Sequence, residues 1–374
     1  MKMPTMKRRE FLNTSGQGVL AASTLSAWNS FAQTDPSWET IDVSPKLIEL
    51  AKKEGSVTVR YSSPLDEMTV MANAFQNKFG IKVQIDRKVG VVGTQQFANE
   101  ERAGQHLMDV NYSADPNGLL DLADEGLYLR FTLADLDKKL DKGTYLPGLA
   151  YGTKWTEIVI SYNPDHIPHA KAKEMFKTWH GLLDPSLKGK IGMNEPAGGG
   201  VPFATYLLFL RRPEYGRKFL ENLAQQKPRL YPGSAPGRED LAAGAISVFI
   251  PNWESAAMEN FLKGDQTAWT YPEIAPAFSN TYLAISKRAP HPNAARLFTA
   301  WFFTMEGAKA LQAAQVRCTL KNVPDDRQAI PRLKKTSWWK PYPNEIRSVP
   351  DVKDWNDNYD QLMPEMRQAL GWRR

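Results

Sequence analysis

Three successive glycines, Gly198, Gly199 and Gly200, stand just ahead of Pro202, in the order that opens a helix. Glycines permit backbone angles and a close approach that a side chain would block. The first turn of a helix offers unpaired N–H groups and a partial positive charge. Together these suit an anionic group such as a carboxylate, phosphate ester or phosphonate. Three other loops have the same form: Ser62 and Ser63 after a strand-like run, Gly93 and Thr94 before a helix at Gln95, and Asp115 before Pro116. Asn252 and Trp253 follow another strand-like run, and Tyr151 and Tyr282 lie on extended segments, so all four are candidates to face a ligand. Each has a plainer reading. Ser62, Ser63, Thr94 and Asp115 are what ordinary helix caps look like, the glycine run could be a turn, and aromatic residues most often serve packing.

Catalytic signatures are missing. There is no G-x-S-x-G elbow, no H-E-x-x-H, no phosphate-binding G-x-x-x-x-G-K-[ST], and no G-x-G-x-x-G after a strand. His166 and His169 are three apart in a proline-containing stretch with no carboxylate motif, which reads as a solvated loop and not as metal ligands. No metal, no cofactor and no enzymatic activity are expected. The only cysteine, Cys318, cannot form an internal disulfide and reads as a buried small side chain.

The elements that would position these loops alternate. Val57 to Ser62 reads as a buried strand, and a helix follows from Leu65 to Phe79 with Met68, Met71, Phe75 and Phe79 on one face and Gly80 at its end. Ile81 to Ile85 is a second strand, Thr94 to Ala103 a helix, Met108 to Tyr112 a third strand, and residues 116–125 a helix ended by Gly126. This order predicts an α/β fold with mostly parallel sheets covered on both faces. A second unit follows with a strand over Lys190 to Asn194, a helix from Pro202 to Arg211 and a strand over Ile246 to Ile250. Extended segments near 150–162 and 275–286 look like crossings between the two units. A long amphipathic helix is expected from Pro292 to Leu311, and the last sixty residues, rich in Pro and Trp, read as a wrapping tail that ends in helix-like sequence over Trp355 to Leu370.

Of the 374 residues, 42% are hydrophobic and 24% charged, which places the chain among folded globular proteins. The formal net charge is +6, but residues 1–32 carry four basic residues against one acidic, so half of that charge belongs to the leader. What remains does not argue for nucleic acid or anionic lipid. The leader itself, Lys7-Arg8-Arg9-Glu10-Phe11-Leu12, then a weakly apolar stretch and Ser30-Phe31-Ala32, has the layout of a twin-arginine export signal cleaved near Ala32. A periplasmic location without direct membrane insertion is expected.

Several stretches, in order, carry a resemblance. Val59-Arg60-Tyr61-Ser62-Ser63 is followed by an amphipathic helix and Phe79-Gly80-Ile81-Lys82-Val83, and Asp109-Val110 precedes Asp115 and Leu122-Ala123-Asp124-Glu125-Gly126-Leu127. Later come Leu182 to Ile191, Ala289-Pro290-His291-Pro292-Asn293-Ala294-Ala295 and Met305-Glu306-Gly307. Over residues 55–370 the chain resembles the bacterial extracellular solute-binding proteins of the ferric-iron, polyamine and phosphonate type, the two-lobed periplasmic receptors of ABC importers. The resemblance implies a type II periplasmic-binding fold, with lobe one at 45–153 plus 277–310, lobe two at 155–275 and a tail at 311–374. It also implies a small-molecule ligand held between the lobes by hinge closure, a monomer, and a membrane permease as partner. The iron-carrying branch uses adjacent tyrosines with a His and a carboxylate. This chain has no Tyr-Tyr pair, and Ile250-Pro251-Asn252-Trp253-Glu254 offers Trp where an oxygen donor would be needed, so iron is disfavoured. Two alternatives remain: an exported enzyme, and the same scaffold serving a signalling protein.

Overall fold

The computed structural model describes residues 35, 37–62, 65–88, 90–141, 143–196, 200–279, 281–343, 347–348 and 352–372. The expected leader, Ser63, Gly198 and Gly199 lie outside them.

Two sheets organise the chain. The first has the strand order Lys82–Arg87, Ser56–Tyr61, Val110–Ser113, Tyr282–Ile285, Ala150–Gly152, Tyr145–Leu146. Ser56–Tyr61 runs parallel to both of its neighbours, whereas Tyr282–Ile285 is antiparallel to both of its own. Val57, Val59 and Tyr61 are fully buried, as expected of a central strand with helices on both faces. Met68, Met71, Phe75 and Phe79 of the helix Leu65–Phe79 are buried in the same core, and Gly80 follows at φ 72°, a left-handed conformation that glycine adopts without strain.

The second sheet has the order Arg229–Tyr231, Ile191–Asn194, Val248–Trp253, Thr156–Tyr162, Ala275–Phe278, Arg347–Ser348, with Ala268–Thr270 also paired to Thr156–Tyr162. Its core gathers Ile158, Ile160, Phe203, Tyr206, Phe209 and Phe219 with Met363 and Met366 from the last helix, Val352–Ala369. The result is a two-lobed α/β protein, each lobe with its own apolar core.

Three local expectations change. The helix expected over 292–311 is two helices, Pro292–Trp301 and Met305–Ala313, because Thr304 caps the second by accepting the Gly307 N–H at 3.2 Å. The helix expected to begin at Thr94 begins at Gly90 and runs to Arg102, so Gly93 and Thr94 sit in its first turns and not in a loop. Residues 311–320 do more than wrap: Lys154 bridges Cys318, the Trp155 N–H donates to the Arg317 carbonyl at 2.8 Å, and the Thr319 N–H donates to the Thr153 carbonyl at 3.0 Å.

Candidate ligand-binding cleft

The registers fix which edges face each other. In the first sheet the strands ending at Tyr61, Arg87 and Ser113 all finish at the edge where Tyr282 pairs with Ser113 and Gly152, so their carboxyl ends meet the crossings. In the second, Trp253 lies opposite Ile158, near the start of the strand that leaves the first crossing, and Val248 lies opposite Tyr162 at its far end. Ile191–Asn194 runs parallel to Val248–Trp253 and also finishes at the crossing edge. The carboxyl edges of both sheets therefore face the crossings at residues 153–155 and at Ser279 and Thr281, the side on which open α/β sheets bind ligands.

Helix starts follow these strand ends at Leu65, Gly90 and Pro116 in the first lobe and at Gly200 and Glu254 in the second. The buried first-turn carboxylates already have cations. Glu67 Oε2 lies 2.6 Å from Lys154 Nζ, and Glu254 Oε2 lies 2.8 Å from Arg327 Nη1. A carboxylate held by a cation offsets the positive end of its helix less than a bare one would. At the same edge Leu65, Val91 and Val92 are 51%, 55% and 64% exposed, so an apolar rim borders the helix starts of lobe one.

The structure gathers four sequence candidates at one place. The Ser62 N–H donates to the Tyr112 carbonyl at 3.1 Å, and Ser62 Oγ accepts from the Ala114 N–H at 3.4 Å. Thr94 Oγ1 lies 3.3 Å from Ser113 Oγ, which accepts the Asp115 N–H at 3.0 Å. Asp115 Oδ1 accepts the Gly118 N–H at 3.0 Å, so this carboxylate caps the helix Pro116–Asp124. At Gly93 an added Cβ would come within 3.1 Å of the Lys88 carbonyl oxygen, so glycine there allows the helix start to press on the preceding loop.

Others are placed differently. Tyr151 is fully buried in the core of lobe one and its hydroxyl donates to the Phe131 carbonyl at 2.8 Å. Tyr282 is 2% exposed and its hydroxyl donates to the Ser279 carbonyl at 2.7 Å. Both serve packing: every position of Ala150–Gly152 and Tyr282–Ile285 is buried, and the two rings enter separate apolar clusters on opposite faces of the sheet. Asn252 is also buried, its amide donating to Ser161 Oγ at 2.9 Å and its carbonyl accepting the Trp253 N–H at 3.0 Å, so it shapes the strand end. Trp253 is half-buried at the end of its strand, immediately before the helix Glu254–Lys263. Gly200 is the first residue of the helix Gly200–Arg211.

Six polar side chains at the cleft had no sequence signal. Glu67 and Lys154 join the first turn of a helix to a crossing, and the Tyr112 hydroxyl hydrogen-bonds Thr153 Oγ1 on that same crossing. Burial pushes the Tyr112 hydroxyl well above its ordinary range, and the Glu67 charge adds to this. Asn194 ends the strand Ile191–Asn194, with its amide donating to the Pro251 carbonyl at 2.9 Å and its buried Oδ1 left without a partner. Ser279 Oγ on the second crossing is likewise buried and unpartnered. Only the long-range fold puts these residues together.

A separate groove of about 710 Å³ lies at the far end of the second sheet, lined by Tyr162, His169, Lys173, Trp269 and Trp338 among others. Tyr162 is at the opposite end of its strand from the crossings, so this groove is not part of the cleft. Among the described residues no group of three or more His, Cys, Asp or Glu could hold a metal ion. None of their helices is long and apolar enough to cross a membrane.

Comparison with known proteins agrees with the two-lobed fold. The profile of the family described as bacterial extracellular solute-binding protein matches residues 105–341. No curated protein matches the sequence. Among solved structures, the fold is similar to the substrate-binding protein of an ABC transporter from Agrobacterium tumefaciens, with TM-score 0.64 and 15% identity over 84% of this chain and 95% of that one. It is similar to iron-bound HitA from Pseudomonas aeruginosa, with TM-score 0.61 and 20% identity over 85% and 97%. It is also similar to AfuA from Actinobacillus pleuropneumoniae with fructose-6-phosphate bound, with TM-score 0.60 and 18% identity over 85% and 99%.

Proposed function

Because the chain belongs to the bacterial extracellular solute-binding proteins, we propose that it captures a small organic anion between its two lobes and hands it to the permease of an ABC importer. It does so in the periplasm, as a monomer exported through its twin-arginine leader, and it catalyses nothing. One observation carries the ligand class: helix starts at Leu65, Gly90, Gly200 and Glu254 follow strand ends at the cleft, while buried Glu67 and Glu254 among them are ion-paired to Lys154 and Arg327. Ser62 stands on the lobe-one side, backed by the buried hydroxyls of Thr94 and Ser113, and Trp253 adds an aromatic edge from lobe two, with the segment from Gly198 to Gly200 between them in sequence. The apolar rim at Leu65, Val91 and Val92 suits a ligand with a carbon skeleton over a bare inorganic ion.

Ferric iron, bound by the similar HitA, fits this chain poorly. It demands hard anionic oxygens, and Trp253 stands in the segment where the iron-carrying branch has tyrosines. The tyrosine hydroxyls nearest the crossings, on Tyr112 and Tyr282, are driven away from ionisation by burial.

Native mass spectrometry of the freshly purified protein tests the proposal. An organic anion of a few hundred daltons should co-purify, and re-adding it should raise the melting temperature by mass action without its being consumed. Co-purified iron, or turnover of the compound, would overturn it.

A further inference from the structure

The hinge has three plies. The crossing at 153–157 is the middle one: the Thr153 N–H donates to the Thr281 carbonyl on one side, and the Trp155 N–H donates to the Arg317 carbonyl on the other. The third ply, residues 317–319, is stapled at both ends. On the lobe-one side Thr319 Oγ1 donates to the Gly152 carbonyl at 2.6 Å, and Gln312 of the helix Met305–Ala313 holds the Pro324 carbonyl at 2.6 Å and the Asp326 N–H at 2.9 Å. On the lobe-two side Arg317 Nη1 lies 3.2 Å from Glu157 Oε1, and Arg327 joins Asp325 at 2.7 Å to Glu254 at 2.8 Å. A movement of one lobe against the other must strain this strap.

The strap is fastened through a buried cluster of charges. Three carboxylates, Glu157, Glu254 and Asp325, meet two guanidiniums, Arg317 and Arg327, with Glu157, Glu254 and Arg327 at most 3% exposed. Among the described residues, the other titratable groups facing Glu157 are the Tyr271 and Tyr342 hydroxyls, which stay protonated: Tyr271 is bonded to Glu254 and Tyr342 to the Ala275 carbonyl. Arg347 lies over the ring of Trp155 and shares Asp141, at 3.2 Å, with Lys321 at 3.4 Å. Glu157 and Glu254 are both buried and repel each other, while Arg327 divides its attraction between Glu254 and Asp325, so a proton on one of the two relieves the repulsion. Burial and the Glu254 charge lift Glu157 to about 7 against the pull of Arg317 and Arg327, which makes Glu157 the group that takes the proton.

We propose that the strap is a proton-sensitive hinge device, in which the charge state of Glu157 sets how firmly Arg317 holds the third ply and so sets the balance between open and shut lobes. The device rests on the reading that the lobes close on a solute, but it is measured with no solute present. Nitroxide labels at Lys52→Cys and Lys218→Cys, both exposed and one on each lobe, report the interlobe distance in the full chain by pulsed dipolar spectroscopy, while buried Cys318 stays unlabelled. Between pH 5.5 and 8.5 the ratio of the two distance populations should change by about threefold or more, with a midpoint near 7, and Glu157→Gln should abolish the change. Arg317→Gln should move the midpoint upward, since a cation that favours the ionised carboxylate is gone. A distance distribution that is the same at both pH values, or one that still shifts in Glu157→Gln, overturns the device and leaves solute capture to its own test.

Discussion

Glu67 Oε2 and Lys154 Nζ lie 2.6 Å apart, with side chains only 6% and 10% exposed, and they tie the first turn of the helix Leu65–Phe79 to the first crossing. A buried pair of this kind gives modest net stability, but removing one partner strands the other charge. Lys154→Met should destabilise the protein by roughly 3–5 kcal/mol. Adding Glu67→Gln should restore most of the loss. Urea denaturation of the four proteins of that double-mutant cycle checks it, and additive losses would show that the two side chains do not act as a pair.

Gly152 ends the strand Ala150–Gly152 where it enters the crossing. A Cβ there would collide with Ser279 Oγ and stand 2.6 Å from the Thr144 carbonyl oxygen. Gly152→Ala should therefore cost roughly 1–3 kcal/mol by overpacking. It should also weaken solute binding, because both crossings shift. Melting temperature and solute affinity of the one variant give the two numbers.

Stability should depend on pH through Glu157. Its folded value of about 7 lies above the ordinary 4.5, so the native state binds the proton more tightly than the unfolded chain. The resulting stabilisation is complete below pH 4.5 and is lost as pH rises through 7. At about 1.4 kcal/mol per pK unit, up to about 3 kcal/mol is involved. Urea midpoints at pH 5 and pH 8 should differ more in the wild type than in Glu157→Gln, in that direction.

Cys318 is 4% exposed and burial pushes its thiol up to about 11. At pH 8 it should react with an aromatic disulfide reagent at least about a hundredfold more slowly in the native protein than in denaturant. Because it bridges Lys154 in the third ply, any condition that loosens the strap should speed the reaction. Rapid native labelling would place this segment outside the packed hinge.

Much of the lobe architecture was legible because local pattern and tertiary role agreed. Met68, Met71, Phe75 and Phe79 repeat at helical spacing and are buried together, and Asp115-Pro116 opens a helix as its residue types demand. The resemblance in the family's order gave the two-lobed plan. Where sequence and structure parted, long-range packing decided. Thr304 interrupts a continuous apolar stripe by capping, which periodicity alone does not reveal. Tyr151 and Tyr282 sit on strands next to the crossings, yet both are buried because apolar clusters cover both faces of their sheet, which residue type does not reveal. Glu67 and Lys154 are 87 residues apart, as are many pairs that never meet, so no spacing rule could join them.

Hydrogen exchange of the full chain with and without the co-purified solute tests solute capture in the cleft most directly. The account predicts added protection at the helix starts and strand ends around Ser62, Thr94, Ser113 to Gly118, Asn194 to Gly200 and Trp253. Protection confined to the groove around His169, Trp269 and Trp338, with the two carboxyl edges unchanged, would contradict it.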